Sequence, residues 1–347
     1  GRFQALQHRL VDMYMHVRLA AAANSAAIEA FNRAEHVLGT ATAACRRACN
    51  TAMLITREAI QMHGAIGYTE DCDVALYVQR ALVMTARYAE QATESIIDFV
   101  SLDVGDAGGD SEPIQPDIDI NMTAPEDDWN EVDDTLFRYV VRGWVAANYP
   151  PDLRHYPTQI RWAEFSEWHQ RLLQRGWAAP TWPREHGGMG LAPSKTLIFI
   201  EELERHGVTR APDQGIVMIG PILIEYGNEE QRQRYLQPAL TGEHICCQGY
   251  SEPNAGSDLA SLRTTALLDG DEFIVNGQKT WTSHALDATH MYCLVRTDVE
   301  AKPQRGISFL LIDLQQPGVD VRPIRNLGGH VDFCEVFLDD VRVPIAN

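Results

Sequence analysis

Two short segments hold the residues best suited to chemistry. Gln248-Gly249-Tyr250-Ser251-Glu252-Pro253-Asn254-Ala255-Gly256-Ser257-Asp258 joins a strand-like run to a loop of glycine, serine and asparagine. Gly256 frees the backbone to come close to a ligand, and the amides and hydroxyls around it form the donor cluster that a flavin ring edge or a pyrophosphate requires. Trp281-Thr282-Ser283 offers an indole to lie along an aromatic ring and a hydroxyl to bond a ring nitrogen. Each segment alone has an ordinary reading too: a capped turn for the first, a core tryptophan and a strand-capping serine for the second. Their joint appearance is the more specific signal.

The elements that must position them change in kind along the chain. After Gly242 the pattern is that of strands: Phe273-Ile274-Val275, then Asn276-Gly277, then Gln278 to Thr282. Asn-Gly between two strand-like runs predicts a hairpin turn. Met291 to Thr297, Gly306 to Leu314 and Cys334 to Leu338 add further strands, so residues 242–347 read as a mostly antiparallel β-barrel. Residues 129–241 read as a helical domain. Val132, Leu136, Val140 and Trp144 recur at helical spacing up to Pro150-Pro151, and further helices are expected over Trp162 to Arg175, Ser194 to His206 and Glu229 to Leu240. Residues 101–128 read as a flexible acidic linker, too poor in apolar groups to offset the entropy of ordering. Residues 1–100 read as an all-helical bundle, with Leu6, Leu10, Met13 and Val17 recurring at helical spacing. Gly64, Gly67 and Thr69 to Asp73 form a loop between its helices. The fold class is α+β.

Composition limits the partners. The 347 residues carry 29 Lys plus Arg against 48 Asp plus Glu, a net charge of −19 that opposes nucleic acid and anionic membrane. The longest apolar runs, such as Ile307 to Ile312, are far short of the ~20 residues of a spanning helix, and the start does not resemble a signal peptide. A cytoplasmic location is expected. The seven cysteines lack zinc-site spacing and read as reduced thiols. Cys45 and Cys49 share a helix face at i, i+4, which allows a redox or metal role but favours burial as small apolar side chains. No phosphate loop, strand-borne GxGxxG or HExxH occurs, and no metal is expected; His186-Gly187-Gly188-Met189-Gly190 reads as a turn.

QGYSEPNAGSD (248–258), NGQKTWTS (276–283) and EVFLDDVRVP (335–344) together resemble the flavin-binding middle domain of the acyl-CoA dehydrogenase family. RGWAAPTWPREHGGMGL (175–191), Ile219-Gly220-Pro221 and EYGNEEQRQRYLQPALTGE (225–243) are similar to that family's amino-terminal helical domain. GRFQALQHRLVDM (1–13) and AIQMHGAIGYTED (59–71) resemble its carboxy-terminal four-helix domain, which in the family follows the β domain. The order suggests the tail of one unit, a linker, and the head of the next in a tandem chain, with both ends cut.

The resemblance implies FAD as cofactor and α,β-dehydrogenation of an acyl-CoA thioester, with electrons passed to an electron-transferring flavoprotein. Gln248, Tyr250 and Ser251 would line the flavin ring, with Gly256 and Ser257 nearby; Trp281 and Ser283 would cover the ring and reach its N5 edge. Gln61, Gly64 and Ala65 fall where the family holds the adenine and pyrophosphate end of a neighbouring subunit's flavin, which implies a homo- or hetero-oligomer; Ala65 replaces a glycine. The family's carboxylate base would fall in Arg87-Tyr88-Ala89-Glu90-Gln91-Ala92-Thr93. Ala89 meets the expected position, Glu90 does so only with one residue inserted, and the family's glycine is absent. Glu90 is thus either the base or an exposed helix carboxylate. A scaffold half of a two-unit dehydrogenase and an oxidase-like reaction with oxygen are the alternatives. By analogy with paired units, fatty acyl groups or sterol side chains are the substrates, and the 347-residue chain alone is expected to be inactive.

Overall fold

The computed structural model describes residues 3–93, 118–125 and 128–347, with the backbone alone for 89–93. The chain divides into two compact units, Gly1–Asp110 with Arg325–His330, and Ser111–Ile324 with Val331–Asn347.

The first unit is helical: α1 (Gln4–Arg33), α2 (Val37–His63), a 3-10 turn (Gly64–Tyr68) and α3 (Val74–Thr93). Ala34, at φ +57°, turns the chain after α1 and donates its N–H to the carbonyls of Ala30 and Phe31. Three helices of the expected four-helix domain lie among the described residues. α1 has no buried residue and leaves Leu10, Tyr14 and Val17 exposed. Cys45 and Cys49 are half-buried free thiols, and burial, reinforced by Cys49, pushes the Cys45 thiol up.

The second unit begins before the sequence boundary at 129. Ile118, Met122 and Ala124, assigned by sequence to the linker, pack on the helical core, and the Arg175 guanidinium donates to the carbonyls of Asn121 (3.1 Å) and Met122 (2.6 Å). Three apolar side chains in eight residues suffice to anchor a segment whose overall composition is that of a linker. Residues 101–117 and 126–127 of that segment lie outside the described residues.

The helices of this unit are α4 (Asp134–Asn148), α5 (Trp162–Arg175), α6 (Pro193–His206), α7 (Gly220–Tyr226), preceded by a π turn (Gly215–Ile219), and α8 (Glu229–Thr241). Asp133 caps α4 by accepting from the N–H groups of Thr135 and Leu136, and Asn228 with Gln231 forms a capping box on α8. Phe137, Val140, Val141 and Trp144 of α4 form the core with Trp168 and Trp177. Glu202 of α6 is buried against α4, where its carboxylate accepts from Arg138 (2.7 Å) and Arg142 (2.8 Å).

Seven strands follow: β1 (Cys246–Gly249), β2 (Thr265–Asp269), β3 (Glu272–Ser283), β4 (His290–Arg296), β5 (Ile307–Asp313), β6 (Val319–Arg325) and β7 (Val331–Pro344). They form one sheet in the order β1-β4-β2-β3-β7-β6, with β5 also on β4. β2–β3, β3–β7 and β4–β5 are antiparallel, whereas β1 runs parallel to β4, so the sheet is mixed.

The hairpin expected at Asn276-Gly277 is not there. β3 runs straight through these residues, and they mark a register shift against β7 between Val275 and Gly277. Asn276 Nδ2 donates to Asp340 Oδ1 (2.9 Å), and the Asp340 N–H donates to Asn276 Oδ1 (2.9 Å), which fixes the irregularity. A side chain at 277 would put its Cβ 2.4 Å from Thr264 Oγ1, so glycine is required by close approach. The turn between β2 and β3 lies earlier, at Gly270, φ +68°.

Candidate functional site

β1 delivers the first set of predicted residues. Gln248 is half-buried and in register with Tyr292 on β4. The Tyr250 ring stands edge-on to the Tyr292 ring at 5.6 Å, and the Tyr292 hydroxyl donates to Gln214 Oε1 at 2.8 Å, tying the strand to the start of the π turn. Burial pushes both phenols up. Beyond Tyr250, Glu252 and Ala255 exchange backbone hydrogen bonds (2.9 and 3.1 Å), closing a tight turn over Pro253-Asn254. Gly256 and Ser257 emerge from it exposed, and nothing stands within 4 Å of where a Cβ at Gly256 would project. Open backbone of this kind can meet a flat or phosphorylated ligand.

β3 delivers the second set through a bulge. Lys279 pairs with Val336 and Thr282 with Cys334, so Thr280 and Trp281 together oppose Glu335. Trp281 takes φ +60°, a conformation that costs a non-glycine residue of order 1–3 kcal/mol and is found where a side chain is re-aimed for function. Its half-buried indole stands edge-on to Phe333 at 6.1 Å, and Ser283 pairs with Phe333 across the strands. The Thr280 N–H donates to the Ser251 carbonyl at 2.9 Å, which sets the two predicted segments side by side.

Beneath both lies a pair of residues to which the sequence reading gave no role. Lys279 is fully buried, and its ammonium donates to Glu252 Oε1 at 2.8 Å and the Leu294 carbonyl at 2.7 Å. Burial pushes the Glu252 carboxyl up, but the bonds from Lys279, Thr264 and Arg263 outweigh it and hold the group below the usual range. The available signal was alternation: odd-numbered positions of β3 put Lys279 in phase with buried Val275.

A cavity of about 820 Å³ opens in the same unit, floored by Trp168, Trp177 and Phe199 and edged by Asp213, Gln214 and His284. Gln248, Tyr250, Ser251, Trp281 and Ser283 do not line it; Gln214, which bonds Tyr292, and His284, which follows Ser283, connect it to them. Burial pushes the Asp213 carboxyl up, although it accepts from the N–H groups of Cys246 (2.7 Å) and Gly215 (3.0 Å). His284 takes φ +65°, its Nδ1 lies 2.6 Å from Gln159 Nε2, and burial pushes its imidazole down. Neither Asp213 nor His284 belongs to the predicted segments, and their positions 71 residues apart give no signal of a shared cavity.

The remaining predicted residues belong to the first unit. Gln61 is exposed in the last turn of α2 and accepts at its carbonyl from the Gly64 N–H; Gly64 takes φ +69°, and Ala65 is exposed in the 3-10 turn. Glu90 lies on α3, and its side chain is outside the described residues. Among the described residues no group of three or more His, Cys, Asp or Glu could hold a metal ion, and no helix is long and apolar enough to cross a membrane.

Comparison with known proteins agrees with this architecture. Sequence models of the acyl-CoA dehydrogenase C-terminal, N-terminal and middle domains match residues 1–87, 131–243 and 247–341. Acyl-CoA dehydrogenase IpdE1 of Mycobacterium tuberculosis is 42% identical over 221 residues, which are 59% of this chain and 56% of that protein. Acyl-CoA dehydrogenase FadE34 of the same organism is 32% identical over 360 residues, 99% of this chain and 44% of its own length. The solved ChsE4-ChsE5 complex from Mycobacterium tuberculosis matches with a TM-score of 0.56 at 34% identity, over 65% of this chain and 56% of that one. The chain thus spans about half the length of the curated relatives it matches. With domains of a single family matched along most of its length, in the order C-terminal, N-terminal, middle, the chain belongs to the acyl-CoA dehydrogenase family.

Proposed function

We propose that the protein carrying this chain oxidises an acyl-CoA thioester to its α,β-unsaturated form with FAD. The observation that carries the reading is the Thr280–Ser251 backbone bond, which sets the open loop at Gly256–Ser257 beside the bulge that re-aims Trp281. Bound FAD supplies the hydride acceptor. Ser251 and Ser283 offer hydroxyls to the ring, Trp281 covers it, Gln248 and Tyr250 line it, and Gly256 and Ser257 present backbone and hydroxyl donors. Gln61, Gly64 and Ala65 are proposed to hold the adenosine end of a neighbouring flavin, so the working form is an oligomer.

The cavity of about 820 Å³, with its tryptophan floor, suits a bulky apolar acyl group such as a sterol side chain better than a short chain. That FadE34 aligns along 99% of this chain in the same domain order supports a tandem arrangement. Cytoplasmic location and transfer of electrons to a flavoprotein acceptor belong to the same reading. Glu90 is the proposed base of the first unit. A second reading, a scaffold half without its own base, is favoured by Ala89 at the expected position and by the missing glycine.

Anaerobic mixing of the intact flavoprotein with acyl-CoA thioesters of increasing bulk tests the activity. Bleaching of the flavin band with formation of enoyl-CoA is expected, fastest with bulky acyl groups. A flavin that stays oxidised with every thioester overturns it.

A further inference from the structure

The Glu252–Lys279 pair is more heavily bonded than a core needs. Lys279 directs its ammonium at three acceptors, Glu252 Oε1 (2.8 Å), the Leu294 carbonyl (2.7 Å) and the Tyr250 carbonyl (3.4 Å), which matches its three protons. Glu252 in turn accepts from the Arg263 N–H on Oε2 (2.6 Å) and from the Thr264 N–H on Oε1 (2.9 Å). A buried ion pair seldom stabilises a fold more than apolar groups of the same volume would, because desolvation offsets the attraction. Stability is therefore a poor reason for the pair.

Its place in the chain supplies a better one. Glu252 directly follows Ser251, and Lys279 is the last residue of β3 in register before the Thr280–Trp281 bulge. The ion pair thus clamps the loop to the strand one residue from Ser251 and two residues from Trp281, and the Tyr250 carbonyl joins the same ammonium. The Thr280–Ser251 backbone bond sits directly beside it.

We propose that Glu252 and Lys279 are positioning residues that fix Tyr250, Ser251 and Trp281 against the FAD ring; this rests on the FAD-binding reading above. Two variants of the intact protein test it. Glu252→Asp keeps the charge but withdraws the carboxylate by one methylene, and the double variant Glu252→Gln with Lys279→Met replaces the ion pair without leaving a lone buried charge. The measurements are the FAD dissociation constant, the visible absorption band of bound flavin, and the melting temperature of the FAD-free protein. We expect FAD to bind about tenfold or more weakly with a shifted band, as when supporting residues behind ligating groups are altered, while the FAD-free melting temperature stays within about 5 °C. Wild-type affinity and an unshifted band in both variants overturn the inference. So does loss of folding in both, which makes the pair a core element only. If the wild-type protein itself takes up no FAD, the functional reading falls, and this inference falls with it.

Discussion

The Thr280 N–H donates to the Ser251 carbonyl across 2.9 Å, joining two segments 29 residues apart in sequence. The bond falls at the bulge where β3 carries one extra residue against β7, and Trp281 in that bulge takes φ +60°. Site geometry and backbone strain are therefore one feature.

This makes the order of substitutions at 281 predictable. Trp281→Ala and Trp281→Gly both remove the indole, yet glycine adopts a positive φ without the steric cost that a Cβ brings. The glycine variant should be more stable than the alanine variant by about 1 kcal/mol, the reverse of their order in an ordinary strand. Urea unfolding of the two variants measures it, and an alanine variant equal or superior to glycine would count against the strained bulge.

Tyr292→Phe should destabilise the protein by about 1 kcal/mol, because the part-buried bond to Gln214 Oε1 is lost. A double-mutant cycle with Gln214→Leu should show a coupling of about 1 kcal/mol. Strict additivity would mean that the 2.8 Å bond does not join the two residues in solution.

Half-buried His290 contributes to the acid side of stability. Burial, with the His244 ring 3.9 Å away, pushes His290 down to about 4 from 6.5. Unfolded His290 therefore takes up its proton near pH 6.5 and folded His290 only near pH 4, so its contribution is complete above pH 6.5 and is lost as pH falls toward 4. Discounted for solvent screening of a half-buried ring, the loss is on the order of 1–2 kcal/mol. Urea midpoints measured between pH 7 and pH 4.5 should fall in the wild type and fall less in His290→Phe. Identical slopes would contradict the assignment.

Glu202 gives a simpler expectation. Burial pushes its carboxyl up, and the bonds from Arg142 and Arg138 outweigh that and hold it low. Glu202→Leu leaves two guanidinium groups without their shared carboxylate between α4 and α6 and should cost about 3–5 kcal/mol, seen as a lower melting temperature. A loss under about 1 kcal/mol would mean the arginines find water instead.

Much of this was legible in the sequence where local signals and tertiary structure agree. Trp162 to Arg175 was bounded correctly as α5 because helical spacing and Gly176 point the same way. Asn276-Gly277 failed because a turn signal of two residues was overridden by pairing of β3 with the whole length of β7. α7 was given no boundaries; its Pro221 occupies the first turn of the helix. Of the candidate site, the segments 248–258 and 281–283 could be picked out because glycine, serine and tryptophan cluster there. Lys279 was signalled only by its phase with Val275, and Glu252 not at all, because a charged residue is solvated by default and burial depends on a partner 27 positions away.

The most direct test of the account is FAD binding by the intact protein and by its Ser251→Ala/Trp281→Ala variant, measured by equilibrium dialysis with the melting temperature of each recorded. Wild-type protein should take up FAD, and the variant should remain folded and bind it at least about tenfold more weakly, roughly 1.4 kcal/mol. Equal affinity in the two proteins, or no uptake by the wild type, would contradict the assignment of this loop and bulge as the flavin site.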